Sequence, residues 1–223
     1  MAGQFYYLIT SLPSLEELGS PAPLTGAEFF DLVDESVIAQ DLVKVVLLSD
    51  DLLQMQAFQA GEIEDVSPAV LSADQVRAQE PLPDYLLGEA PAGDINAIWK
   101  TYFEYAASIA NTYGCEFLKL WVEYEVGIRN ALIFARARKL GIDPEEHYIA
   151  RDMTSGDDFT ALVNEWSAAE NPMAGMMILD KARWNWLTEN DSWFKFTYDE
   201  LVVYAARILL LKRWDSLSGK ISA

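Results

Sequence analysis

Polar capping residues stand along this chain before stretches in which apolar positions recur every three to four residues, and they mark where helices begin. Three segments have the spacing of a capping box, in which a Ser or Thr side chain accepts a hydrogen bond from a backbone N–H and a Glu or Gln three residues later reaches back: Thr25–Glu28, Ser72–Gln75 and Thr197–Glu200. Asp143–Pro144 and Asn171–Pro172 each place a capping side chain before a proline, which suits the first helical position because its missing N–H is not needed there. These motifs predict five helix starts.

Glycines and the spacing of apolar residues predict the helix ends and the fold class. Gly61, Gly141 and Gly219 can each close a helix in the left-handed conformation. Together with the apolar periodicity, these signals predict helices at about 26–35, 37–60, 73–79, 95–113, 115–140, 158–169, 172–189 and 198–217. Gln4–Ile9 is compatible with a short strand, but no long alternating run competes with the helices. We therefore predict an all-α fold, an irregular multi-helix bundle with a long central helix at about 115–140.

The predicted central helix is apolar on two sides. One stripe contains Phe117, Trp121, Tyr124, Ile128, Leu132 and Ala135, and the opposite stripe contains Cys115, Val122, Val126, Ile133 and Ala137. A helix of this kind is either sandwiched inside a domain or presents one side to a partner. Between the stripes, Glu125 precedes Arg129 by four residues, which favours a local ion pair.

The C-terminal part of the sequence is rich in apolar and aromatic residues. The predicted helix at 198–217 is apolar almost all round, which requires burial inside the protein or against another chain. An aromatic cluster lies just before it and at its start: Trp184, Trp186, Trp193, Phe194, Phe196 and Tyr198. Such a cluster fits either a packed core or a recognition patch.

Composition indicates a globular, acidic protein. Hydrophobic residues make up 51% of the chain, and 16 basic residues face 35 acidic ones, for a net charge of −19. This charge disfavours binding to nucleic acid or to an anionic lipid surface. Residues 1–98 hold two basic and 17 acidic residues, whereas residues 99–223 hold 14 and 18. We therefore predict an acidic N-terminal helical region at 1–93 and a helical core region at 94–223, or one continuous domain. The acidic half either keeps the protein soluble or docks a basic partner.

Targeting and membrane signals are weak. The first twenty residues lack a basic start followed by an apolar core, and a single cysteine, Cys115, cannot form an intramolecular disulfide. Apolar runs such as Ile208–Leu211 are far shorter than the roughly 18 residues that cross a bilayer. We expect a cytoplasmic protein that spans no membrane.

The sequence offers no set of residues for a familiar cofactor or metal site. No glycine pattern matches a dinucleotide-binding or phosphate-binding loop, and one histidine with one cysteine cannot supply a zinc or di-iron ligand set. We expect His147 to be structural and Cys115 to be buried and inert. Asp50–Asp51 and Asp157–Asp158 are weak candidates for paired acid–base chemistry, because neighbouring residues on a helix point apart. We expect no cofactor and no metal.

Two stretches of the chain resemble a known group of proteins. Arg129–Gly141 (RNALIFARARKLG), followed by Ile142–Glu146, resembles the helix-to-turn signature of the C-type (also called d-type) stalk adaptor of V-type ATPases. Phe5–Ser14 (FYYLITSLPS) and Leu24–Phe30 (LTGAEFF) resemble short uncharacterised proteins encoded in some bacterial V-type ATPase operons. The resemblance implies an all-helical, non-catalytic protein that takes the place of the C-type adaptor and seats the central stalk on the membrane rotor ring. Such a protein would be peripheral to the inner membrane through its partner subunits.

Two functional hypotheses follow. In the first, the chain is an accessory or structural subunit of a V-type ATPase, with stalk or rotor subunits as partners and Arg129, Arg136, Arg138 and Lys139 as partner-binding residues. In the second, it is a free-standing cytoplasmic helical enzyme or regulator with a site near Trp184–Trp193. Cations in the last turn of a helix also complement the helix dipole, each by ~0.3–1 kcal/mol, so the basic end of the central helix has a local interpretation as well.

Overall fold

The computed structural model of the 223-residue chain describes residues 2–88, 94–191 and 196–221, and the side chains of residues 6–88, 94–191 and 196–215. Within these ranges the regular structure is entirely helical: α1 (Ala2–Ser11), α2 (Gly26–Leu32), α3 (Val37–Gln59), α4 (Ala73–Val76), α5 (Ile95–Tyr113), α6 (Glu116–Leu140), α7 (Thr160–Ser167), α8 (Pro172–Asn190) and α9 (Tyr198–Ile221). Single turns of 3₁₀ helix lie at Asp84–Leu86, Pro144–Glu146 and Arg151–Met153. The all-α prediction is confirmed, and the predicted central helix is α6.

The start of the chain differs from the sequence-based expectation. Gln4–Ile9, which is compatible with a short strand, lies within α1. A strand needs a neighbouring strand to pair its backbone N–H and C=O groups, whereas a helix pairs them internally. The described ranges contain no strand that could serve as that neighbour. The strand interpretation is therefore wrong.

Two of the capping boxes form as predicted. The Thr25 side chain accepts from the backbone N–H of Glu28, and the Glu28 carboxylate accepts in return from the backbone N–H of Thr25. Ser72 and Gln75 make the same reciprocal pair at the start of α4. Each box satisfies backbone donors that the first turn of a helix leaves free.

The proline-marked starts and two of the glycine stops are also used. At the start of α8, Asn171 Oδ1 accepts from the backbone N–H of Ala174 at 2.9 Å. Asp143 caps only the single turn at Pro144–Glu146 rather than an α-helix. Gly61 and Gly141 follow the ends of α3 and α6 with φ angles of +70° and +69°, in the left-handed region that favours glycine.

Two predicted signals in α9 behave differently. Glu200 accepts from the backbone N–H groups of Phe196 and Thr197, but the buried Thr197 hydroxyl has no hydrogen-bond partner among the described residues, so the capping box is only half formed. Gly219 does not end α9, which continues to Ile221. A glycine inside a helix costs only about 1 kcal/mol relative to alanine, so it marks an end only where the chain also turns away.

The chain divides into two compact units. The first consists of Met1–Pro81 with Asp180–Ala223, and the second is Leu82–Leu179. Helix α9 therefore belongs to the same unit as the N-terminal helices, and the boundary in α8 falls between Leu179 and Asp180. The sequence-based boundary between residues 93 and 94 separates regions of different charge, whereas these units are defined by packing. The charge-based division stays a prediction.

In the first unit, α9 packs against α2 and α3. Its side chains from Leu201 to Leu211 are buried apart from the partly buried Arg207, as the all-round apolar sequence requires. The Tyr204 hydroxyl donates to the backbone oxygen of Pro13 at 2.8 Å, and the Tyr204 ring lies 5.0 Å from the ring of Phe29. These contacts place α9 at the centre of the core of this unit.

Two cations of α9, Lys212 and Arg213, pair with buried carboxylates. Asp180 is fully buried, and its Oδ1 accepts from Arg213 at 2.8 Å and from Arg183 at 3.3 Å. Asp50 pairs with Lys212 at 3.3 Å. These ion pairs join α3, α8 and α9.

Asp51 links another segment of the same unit to α3. Its carboxylate accepts from the backbone N–H groups of Ala69, Val70 and Leu71, each at 2.8 Å. Burial raises the pKa of Asp51 to about 6, outweighing these hydrogen bonds, which lower it. The side chain thereby ties the segment at 69–71 to α3.

In the second unit, α5 and α6 pack along one another. Helix α6 also contacts α7 and the turns at Pro144–Glu146 and Arg151–Met153. None of the described helices in either unit combines the length and apolarity that crossing a membrane requires.

Candidate functional site

Helix α6 changes character along its length. In its first half both predicted stripes are buried, as Phe117, Val122 and Ile128 illustrate. Toward the C-terminal end the residues of the stripes become less buried, and Leu132 and Ala135 are only partly buried. The first half of α6 therefore serves the core of the second unit, while the second half offers side chains to a site.

A glycine lets the segment before α7 approach the middle of α6. A Cβ atom added at Gly127 would lie 2.5 Å from Phe159 Cε2 and 2.9 Å from Phe159 Cζ, closer than Cβ atoms approach other atoms in folded proteins. The backbone N–H of Ser155 also donates to the backbone oxygen of Glu123 at 3.3 Å. Gly127 therefore makes room for the Phe159 ring against the helix.

A buried amide positions the preceding turn. Asn130 is 7% exposed; its Nδ2 donates to the backbone oxygen of Ile149 at 2.8 Å, and its Oδ1 accepts from the backbone N–H of Ile149 at 2.9 Å. The next residue, Ala150, is buried with a left-handed φ of +43°, a conformation that disfavours residues other than glycine. The paired hydrogen bonds hold this strained turn beside α6.

These segments line a cavity of about 680 Å³. Its walls come from the second half of α6, the residues from 148 to 160 and α7: Asn130, Ala131, Phe134, Ala135, Arg138, Tyr148, Arg151, Thr154, Asp157, Phe159, Thr160, Val163, Asn164 and Ser167. One part of this lining is apolar and aromatic, and the rest presents hydroxyl, amide and charged groups. This combination of size and lining is typical of a binding site.

Two arginines bring positive charge to the cavity. The Arg151 guanidinium forms an ion pair with Glu145, with Nη2 at 3.0 Å from Oε1, and lies 5.1 Å from the centre of the Tyr148 ring. Arg138 has no ion pair with any side chain in the part of the chain that the structure describes. Asp157 is the acidic residue in the lining. Because Glu145 offsets the charge of Arg151, the Arg138 guanidinium is the cation available to an occupant.

The four sequence-predicted partner-binding residues do not gather at one point. The Arg129 guanidinium is stacked on Trp99, 3.7 Å from the ring centre, and is partly buried. The exposed Arg136 lies near Trp166, with its guanidinium 5.3 Å from the ring centre. Both contacts are cation–π interactions within the second unit, and the contact of the exposed Arg136 is the weaker of the two.

Arg138 and Lys139 have different surroundings although they are neighbours in sequence. Both are exposed in the last turn of α6, but only Arg138 lines the cavity. Large apolar side chains surround this end of the helix, with exposed fractions of 47% for Phe134, 72% for Leu140 and 46% for Ile142. Cationic and apolar groups thus share one exposed helix end, as in many protein-binding surfaces.

The other candidate residues from the sequence are Cys115, His147 and the acidic pair Asp157–Asp158. Cys115 is buried immediately before α6, and His147 is partly buried at the end of a single turn. Asp158 accepts from the backbone N–H of Thr160 at 2.9 Å, and hydrogen bonds from Thr160 hold the pKa of Asp158 below its usual range. Within the described ranges, no three His, Cys, Asp or Glu side chains converge as metal ligands.

The aromatic region of the alternative hypothesis is only partly described. The Arg207 guanidinium lies 5.5 Å from the centre of the Trp184 ring, and Arg207 pairs with Asp191 at 3.0 Å. Trp193 and Phe194 lie outside the described residues. A site near Trp184–Trp193 therefore stays a prediction.

Sequence reasoning missed the cavity and the contribution of Tyr148, Arg151 and Asn164 to its lining. One signal was available, because the connection from α6 to α7 spans the 19 residues from 141 to 159. This connection is longer than most connections between helices in compact domains, and long connections often carry functional residues.

The comparison with known families covers this whole site. The family described as "Protein of unknown function (DUF2764)" matches residues 89–221. The chain belongs to this family. No curated protein and no solved structure matches the chain. The matched range contains α5 to α9, and hence all residues of the cavity and the basic end of α6.

Proposed function

We propose that this protein is a non-catalytic accessory subunit of a V-type rotary ATPase, an adaptor that takes the position of the C-type adaptor between the central stalk and the membrane rotor. Its partners are protein subunits of the stalk or rotor, and it reaches the membrane only through them. Arg136, Arg138 and Lys139 at the exposed end of α6 contact the partner, and Arg129 supports that end from its stacked position on Trp99.

The observation that carries the proposal is the surface at the end of α6. The residues that resemble the signature of the C-type adaptor, Arg129–Gly141, form the second half of this helix and the glycine that ends it. Its last turns combine exposed cations with exposed apolar side chains, Phe134 and Leu140 among them. Protein-binding surfaces often combine exposed apolar side chains with arginine, so this combination supports a protein-binding role.

The proposal is tested by measuring binding of the purified protein to reconstituted stalk and rotor subunits of the ATPase encoded in the same genome. Charge reversal in the double variant Arg136→Glu, Arg138→Glu is expected to weaken binding about tenfold or more, because complementary charges steer and hold such interfaces. Binding is also expected to weaken with salt, as the Debye length falls from ~8 Å at 0.15 M to ~3 Å at 1 M.

A matched control distinguishes the effect of charge at the end of α6 from the effect of the protein's net charge. The double variant Lys119→Glu, Lys181→Glu makes the same change in net charge at two exposed positions that are not part of the end of α6. We expect it to bind normally, and both double variants to melt within a few degrees of the parent. Equal loss of binding in the two double variants would contradict the assignment of the site, and no binding by the parent would contradict the proposed function.

A further inference from the structure

The cavity beside α6 has the form of an open groove. Most of its lining residues are exposed, including Arg138, Thr154, Thr160 and Asn164. Small-molecule sites usually enclose most of the ligand surface, often ~70–90% of it. A groove with so many exposed lining residues instead suits a segment of a larger molecule that covers it from outside.

The lining also specifies the chemistry of an occupant. Phe134, Phe159 and Val163 supply apolar surface, and Phe134 is 47% exposed. Beside them, Arg138 presents a guanidinium with no ion pair in the described part of the chain, whereas the charge of Arg151 is offset by Glu145. An occupant that places an apolar side chain on Phe134 and a carboxylate on Arg138 complements both parts of the groove.

Contacts on either side hold the groove in shape before anything binds. Asn130 fixes the turn at Ile149 through two hydrogen bonds, and Gly127 admits the ring of Phe159 close to α6. A site that is already formed loses less conformational entropy on binding.

We infer that this groove binds an acidic peptide segment of a partner protein, with an Asp or Glu side chain on Arg138 and a neighbouring apolar side chain on Phe134 and Val163. The inference deepens the proposed function and rests on it for the identity of the partner, which would be a stalk or rotor subunit. The chemistry of the groove does not depend on that identity and is tested without any ATPase component.

The probe is a displayed library of random dodecapeptides selected on the intact, immobilised protein. We expect enriched peptides in which Asp or Glu stands close to Leu, Ile or Phe. Arg138→Glu is expected to weaken their binding about tenfold or more. Its matched control is Lys119→Glu, which makes the same charge change at an exposed position near the start of the same helix, outside the lining, and should keep binding within about twofold.

A second pair of variants tests the shape of the groove. Thr160→Trp places a large side chain in the lining and should block the enriched peptides. Ala161→Trp adds the same bulk at the next exposed position of α7, outside the lining, and should not. Circular dichroism and melting of each variant show whether it remains folded.

Several outcomes would overturn the inference. The first is a selection without acidic–apolar peptides, and the second is an equal loss of binding in Arg138→Glu and Lys119→Glu. The third is binding of the enriched peptides to folded Thr160→Trp. The fourth is binding of 3-phenylpropionate, a small molecule with one carboxylate and one phenyl ring, as tightly as the best peptide. Failure of the proposed function looks different, because the ATPase subunits would then not bind the parent protein although the acidic peptides do.

Discussion

Replacing Asp180 by alanine tests how the first unit is held together. The Asp180 carboxylate is 1% exposed and receives the guanidinium groups of Arg213 and Arg183, which are 17% and 16% exposed. Asp180→Ala removes the negative partner and leaves two positive charges with little access to water. Breaking a buried ion pair from one side costs about 3–5 kcal/mol, and we expect the free energy of unfolding to fall by that amount.

A triple variant shows whether the loss comes from unpaired charge. Replacing all three side chains by apolar groups of similar volume, in Asp180→Leu, Arg183→Met, Arg213→Met, removes the carboxylate and both cations together. Such replacements are often neutral or stabilising, by about 1–4 kcal/mol. We therefore expect the triple variant to be more stable than Asp180→Ala, although it carries more changes.

The assay is urea unfolding at neutral pH, followed by tryptophan fluorescence and by far-UV circular dichroism. Asp152→Ala, at an exposed position in a single turn, is the control and should change stability by no more than about 0.5 kcal/mol. The reasoning would be refuted if Asp180→Ala unfolded within about 1 kcal/mol of the parent. It would also be refuted if the triple variant were no more stable than Asp180→Ala.

Three further predictions use the same unfolding assay. The pKa of Asp51 is raised from 3.8 to about 6 on folding, so the contribution of Asp51 to the free energy of unfolding is fully present below about pH 4 and is lost as the pH rises through 6. The free energy of unfolding of the parent, measured relative to that of Asp51→Asn, should therefore fall by about 3 kcal/mol over this range, and a pH-independent difference would contradict this. Asn130→Ala leaves the backbone N–H and C=O of Ile149 without their partner, at about 1–3 kcal/mol for each group, and a loss below 1 kcal/mol would show that water replaces the amide. Gly127→Val forces the Phe159 ring to move and should lower the free energy of unfolding by about 1–3 kcal/mol, and adding Phe159→Leu should restore part of that loss. An unchanged stability of Gly127→Val would show that the ring moves freely.

Helix positions could be predicted from the sequence wherever the determinants are local. The capping boxes at Thr25 and Ser72 involve groups only three residues apart, and both form. Gly141 needs only a left-handed backbone to end α6. Gly219 shows the limit of local reasoning, because the chain after it continues along α9 instead of turning away.

The candidate site depends on contacts between residues far apart in sequence. When α6 is considered alone, Asn130 is one of the polar residues between the two apolar stripes. Its two hydrogen bonds become evident only when Ile149 lies against it. Asp51 lies outside the site but shows the same limit, because its three backbone N–H donors come from residues 69–71, about twenty positions away in sequence. The basic end of α6 could be named from the sequence, but only the turn after it and α7 single out Arg138 from Lys139.

The central claim is association with a rotary ATPase, and the most direct measurement is purification of the tagged protein from the cells that encode it, with quantitative mass spectrometry of what co-elutes. The account predicts stalk and rotor subunits in near-stoichiometric amounts at low salt, and their depletion when the tagged protein carries Arg136→Glu and Arg138→Glu. The same cells must contain assembled ATPase, which its activity in membranes establishes. Elution of the parent protein without any ATPase component from such cells would contradict the account.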